Sequence, residues 1–234
     1  VAWLWLGRDL GRPLALSQRG QSWILIIGVL PLLLVPVIHA LYPPASGEAR
    51  LAFTRIMQFG NGLAAVPLAL LAVIALGRRR GAPLDEALRP QFRALTASLT
   101  LFAAGGLLAV AISGVNTIIP AHYHGSIVGV TLALMGLTYH LLPVLGFARP
   151  SGWMARSQPW IYGSGQLLHI AGLAVSGAMG IQRKTAGAAQ GLDTWQAKAA
   201  MGVMGIGGLL AVIGGILFVL VVIQAVRSRP RAAR

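Results

Sequence analysis

The chain has 234 residues, 56% of them apolar and only 10% charged, against about 25% charged residues in an ordinary soluble domain. With a mean hydropathy of +0.73, this composition excludes a soluble globular core, because so little charge cannot cover so much apolar surface. Lys and Arg outnumber Asp and Glu 19 to 5, and cysteine is absent, which rules out disulfides, thiolate metal sites and iron–sulfur clusters and leaves histidine as the expected ligand type.

The bilayer is the natural solvent for such a chain, and a spanning helix needs about 20 apolar residues. An apolar stub, Val1–Leu6, opens the sequence on Val and hints at a missing upstream helix. Six spans follow: Ser22–Tyr42, Leu51–Gly77, Ala94–Gly114, Ile118–Gly146, Trp160–Ile181 and Ala199–Val226. The expected fold is therefore all-α, a polytopic transmembrane helix bundle forming a single domain over residues 1–234. The longest expected loop is Arg78–Arg93, and no signal peptide is evident. Small residues such as Gly202, Gly205, Gly208 and Gly214 suit close helix contact. Trp residues fall near the span ends, as interfacial aromatics do. Asn61 and Gln58 read as a polar contact between helices.

Charge gives the orientation. Alternate loops collect 14 of the 19 basic residues on one side, including Arg78, Arg79 and Arg80; the other side holds Arg50, Arg55, Arg183, Lys184 and Lys198. The positive-inside rule then places both ends in the cytoplasm of a bacterial inner (plasma) membrane. The basic excess is a topology signal, so no nucleic-acid partner is implied; membrane lipid is the expected surrounding.

All five histidines fall within the expected spans, where ionisable groups default to a functional reading. The bland alternative is a neutral imidazole bonded to a neighbouring helix. His39, His122 and His124 lie toward the sparsely charged side, and His169 lies near mid-membrane. His140 is 16 residues beyond His124, about 24 Å away along a helix. Side chains two apart on a helix point about 200° from one another, so His122 and His124 cannot easily share one metal. They can each ligate a different iron on opposite flanks of one helix, which suits two hemes (b- or a-type). Tyr123 between them could touch a heme edge or equally face headgroups. The loop Gly180-Ile181-Gln182-Arg183-Lys184-Thr185 lies on the same side, where Arg183 and Lys184 can meet heme propionates or serve as an interfacial anchor pair.

The stretch Asn116-Thr117-Ile118-Ile119-Pro120-Ala121-His122-Tyr123-His124-Gly125, running on to Leu137-Thr138-Tyr139-His140-Leu141-Leu142-Pro143, resembles the tenth helix of heme-copper oxidase (cytochrome c oxidase) subunit I. The Gly-Ile-Gln-Arg-Lys loop resembles that family's loop between its eleventh and twelfth helices, and the six spans match its seventh to twelfth. The resemblance implies His122 as proximal ligand of a high-spin heme, His124 as axial ligand of a low-spin heme, and Arg183 and Lys184 on propionates. It implies a copper ligand at His39, but the neighbouring ligand position is Ile38, so the copper site is degenerate. The low-spin heme's other ligand and the remaining helices would come from other membrane subunits, with cytochrome c or quinol as electron donor. Two other functions compete: a cofactor-free anchor or assembly subunit, and a transporter relaying protons through histidine. Against transport, all five acids are expected in loops.

Overall fold

The computed structural model describes residues 7, 10, 11, 13–60, 62–78 and 84–228. Val1–Leu6, Arg79, Arg80 and Asn61 lie outside the described residues. Six helical elements follow in order: α1, Gln18–Leu41; α2, Gly47–Gly77; α3, Glu86–Val110; α4, Ile118–Val144; α5, Gly152–Ala178; and α6, Trp195–Arg227. There is no strand among the described residues, only an isolated bridge between Asn116 and Gln182.

Most helices start several residues earlier than hydropathy suggests. Hydropathy marks the lipid slab, whereas a helix starts where a side chain satisfies its first free amides. Ser17 accepts from Gly20 N at 3.2 Å, Ser46 from Ala49 N at 3.1 Å, Asp85 from Ala87 N at 3.0 Å and Thr194 from Ala197 N at 3.2 Å. The Arg78–Arg93 loop is correspondingly shorter, because its last residues already belong to α3. Glu48 and Glu86, expected in loops, sit in first helical turns, where a carboxylate meets the positive end of the helix dipole.

Among the described residues five helices are long and apolar enough to cross a membrane: α1, α2, α3, α4 and α6. The sixth expected span, α5, has the length at 27 residues but falls outside that set. Its composition explains the difference. It carries Gln158, Gln166, His169 and Ser176, and packs on α3, α4 and α6 together, so neighbouring helices rather than lipid cover its polar groups.

Contacts divide the chain into two compact units, Gly7–Gly81 and Ala82–Arg234. In the first, α1 and α2 pack as a hairpin. Pro31, which lacks an amide hydrogen, sits in a 3-10 turn at Leu30–Leu33, and α2 carries a π-turn at Ile56–Gly60. The helices meet where Gly28 abuts Ala64 and Gly60 abuts Pro31.

In the second unit α3 pairs closely with α4, and α5 with α6. Glycine faces bring each pair together. A Cβ on Gly125 would come within 2.7 Å of the Gly105 Cα, and one on Gly129 within 2.9 Å of Phe102 N. On α6 the buried positions Ala197, Ala200, Gly207, Ala211, Gly214, Val221 and Ala225 are separated by multiples of alternating three- and four-residue steps. That is a 3.5-residue period, the signature of left-handed wrapping, here with small residues at the seam. Gly207 and Gly165 lie against each other's backbone, as do Gly214 and Tyr162. Of the small residues singled out from sequence, Gly214 takes part and Gly208 lies against His169. Gly202 and Gly205 face open space, because they fall off the seam.

One end of this unit is fixed by Arg93, whose guanidinium donates to Arg156 O at 2.7 Å, and by Glu86, paired with Arg89 at 2.7 Å and Arg156 at 3.4 Å. At the same end Ala148 N donates to Ala225 O at 3.1 Å. The half of α4 that carries His122 and His124 lies at the other end.

Candidate functional site

The site is built on the first turns of α4. Asn116 Oδ1 accepts from Ile118 N at 3.0 Å and its amide donates to Ser113 O at 3.0 Å, folding the chain into the helix. Thr117 is buried and welds the start of α4 to the end of α5. Its hydroxyl donates to Leu173 O at 2.9 Å and its amide to Ile181 O at 3.1 Å. Gly177 makes this approach possible, since a Cβ there would lie 3.0 Å from the Thr117 hydroxyl. Pro120 follows within the first turn, where a missing amide hydrogen breaks no helical bond.

His122 and His124 are half-buried and leave α4 on different flanks, as the helical angle predicts. His122 turns to α3, and its Nδ1 lies 2.7 Å from Gly105 O. The glycine contact between α3 and α4 brings that carbonyl within reach. His124 turns to α5, where its ring lies 5.1 Å from that of His169 at 38°. Its Nδ1 lies 3.0 Å from Pro120 O, one turn back on α4. The Nδ1 of His169 lies 3.0 Å from Met204 O on α6.

A carbonyl only accepts, so each of these three Nδ1 atoms carries the hydrogen in the neutral ring. The lone pair is then on Nε2, and for none of the three does Nε2 have a protein partner among the described residues. This is the tautomer in which imidazole binds metal, with the far nitrogen steadied by a carbonyl.

Tyr123 points outward at 39% exposure, its ring 5.3 Å from His124. The loop holding Arg183 and Lys184 is pinned beside the start of α4 by the Thr117–Ile181 bond and the Asn116–Gln182 bridge. Lys184 is exposed and adopts φ +60°, the one positive φ among the described non-glycine residues. The Arg183 Nε is buried with no hydrogen-bond partner, as are Gln166 Oε1 and Ser176 Oγ on α5. A buried donor left unpaired is costly, so an orphaned guanidinium nitrogen suits an anionic guest.

His39 belongs to the first unit, where it is exposed and packs against Phe53 at 5.3 Å; Ile38 beside it is buried. Among the described residues no group of three or more His, Asp or Glu side chains converges to hold a metal ion. His140 lies far along α4, half-buried, one residue from Tyr139. Tyr139 is fully buried and donates to Gln158 Oε1 at 3.1 Å, while Gln158 donates to Met135 Sδ at 3.4 Å.

The contact sequence reasoning missed is the one between His124 and His169. Placing the fifth span at Trp160–Ile181 set His169 at its middle. The helix begins at Gly152 and ends at Ala178, so His169 is nine residues from its end and His124 six from the start of the antiparallel α4. That puts both in one half of the unit. Counting depth from the caps would have found the pair.

Compared with known protein families and with solved structures, the chain matches none. An uncharacterized protein of Rickettsia prowazekii (strain Madrid E) is 42% identical over 136 residues, which is 53% of this chain and 26% of the relative. The aligned part is thus about a quarter of that relative's length.

Proposed function

We propose that the chain is a heme-binding integral membrane subunit of a respiratory electron-transfer complex, similar to the second half of heme-copper oxidase subunit I. The observation that carries this reading is the pair of imidazoles His122 and His124, on separate flanks of α4, each with Nδ1 on a carbonyl and Nε2 without a protein partner among the described residues.

The residues fit heme on two counts. His122 and His124 offer Nε2 on separate flanks of α4, one for each of two irons. Arg183, with an orphaned buried Nε, and the neighbouring Lys184 would take propionates through charge-assisted bonds. Bound heme would supply one-electron redox chemistry at a potential set by its ligands and surroundings. The chain's own contribution is to hold the two imidazoles apart in fixed tautomers, with α3 behind one and α5 behind the other. A further ligand for the heme held by His124 would come from a partner membrane subunit, and the electron donor would be cytochrome c or quinol. The copper position, reduced to His39 beside the apolar Ile38, does not enter this reading. Both ends are assigned to the cytoplasmic side of a bacterial inner membrane, on the strength of the charge asymmetry.

The competing reading is a cofactor-free anchor or assembly subunit, for which the tight glycine seams alone would suffice. A pyridine hemochrome assay on the complex purified from membranes separates the two. The heme reading expects b- or a-type heme in stoichiometric amount with this chain. A folded, intact and colourless complex would rule it out.

A further inference from the structure

We infer that His169 belongs to the His124 site as the positioning residue that fixes the plane of the His124 ring. This rests on the heme reading above and extends it to a residue that neither the His-x-His spacing nor the propionate loop includes. Among the described residues the His124 ring is hydrogen-bonded only to Pro120 O on its own helix, a single bond that leaves the ring free to rock about it. Tyr123 flanks it on one side but is itself exposed. The firm flank is His169, 5.1 Å away at 38°.

His169 is held from several directions. Its Nδ1 donates to Met204 O on α6 at 3.0 Å. Gly207 presses on its backbone nitrogen, and a Cβ on Gly208 would stand 3.4 Å from Nδ1. The α5–α6 seam thus provides a rigid bed for the His169 ring, and His124 rests against that ring. Metal-bound imidazoles are commonly oriented by such neighbours.

The spacing also says what His169 is not. Two imidazoles binding one iron from opposite faces have ring centres about 6 Å apart, given iron–nitrogen bonds near ~2 Å. Rings 5.1 Å apart in direct contact leave no room for a macrocycle between them. His169 therefore flanks the His124 ligand and is not its opposite number.

The ring plane of an axial imidazole is read directly by the electron paramagnetic resonance spectrum of ferric low-spin heme, because it sets the splitting of the iron d orbitals. In the complex purified from membranes, the wild type should give one narrow low-spin signal. His169→Ala should keep the heme but shift the largest g value and broaden the signal. His169→Phe, which restores a flat ring, should move it back toward wild type. Should His169→Ala not accumulate, His169→Leu fills the space without a flat face and should broaden the signal as well. An unchanged signal in either non-aromatic variant overturns the inference. His124→Ala keeps the outcomes distinct: it should abolish the low-spin signal. Persistence of that signal in His124→Ala would mean the heme reading itself has failed.

Discussion

The α1–α2 hairpin and the α3–α6 unit are held by different means. In the hairpin the side-chain hydrogen bonds of Gln21, Ser22 and Thr54 reach only carbonyls four or five residues away, and its helices meet at a few small residues. In the α3–α6 unit, side chains reach carbonyls of other helices: Arg93 to Arg156, Thr117 to Leu173, His122 to Gly105 and His169 to Met204. For Thr117, His122 and His169 glycine contacts make the difference, because they bring a neighbour's backbone close enough for a side chain to reach. A membrane helix has few polar groups to spend on packing, and in the α3–α6 unit they tie helix to helix at both ends.

The largest expected contrast between the units is in cofactor content. His122→Ala and His124→Ala should each remove a share of the heme from the purified complex, whereas His39→Ala should leave it unchanged. Loss of heme in His39→Ala alone would invert the comparison. Next comes packing. Gly165→Leu or Gly207→Leu should separate α5 from α6 and destabilise the protein by more than the ~1–3 kcal/mol typical of one overpacked methyl or methylene, measured by unfolding in mixed detergent. Gly202→Ala, facing open space, should instead stabilise by up to ~1 kcal/mol through helix propensity. Tyr139→Phe removes the bond to Gln158 and should cost ~1–3 kcal/mol, since Gln158 is left buried with one group unpaired. Arg183→Ala should weaken heme retention about tenfold, in line with ~1.5 kcal/mol for a bond to a charged group. The smallest effect is expected for Lys184→Gly, which loses one exposed charge and relieves the positive φ; its heme retention should stay within about twofold of wild type.

Much of this was legible in the sequence. Long apolar runs predicted helices, and the two-residue spacing of His122 and His124 predicted their separate flanks, because both follow from helix geometry alone. The loop carrying Arg183 was expected on the side of His122, and it lies against the start of α4. Three things were hidden. The helix starts depend on capping by Ser17, Ser46, Asp85 and Thr194, which hydropathy ignores. The polarity of α5 is tolerated only because three helices cover it, a tertiary fact. The His124–His169 contact needed the true ends of α5. The seam on α6 was written in the sequence at Gly207, Ala211 and Gly214, but many glycines competed for attention. Only the 3.5-residue period separates that seam from Gly202 and Gly205.

The most direct test of the central claim is the reduced-minus-oxidised visible spectrum of the intact complex, recorded side by side for wild type and His124→Ala. The account predicts a b- or a-type heme band in the wild type and its loss in the variant, with the protein still folded. A band of equal size and position in both would contradict it, and so would a folded wild-type complex with no band.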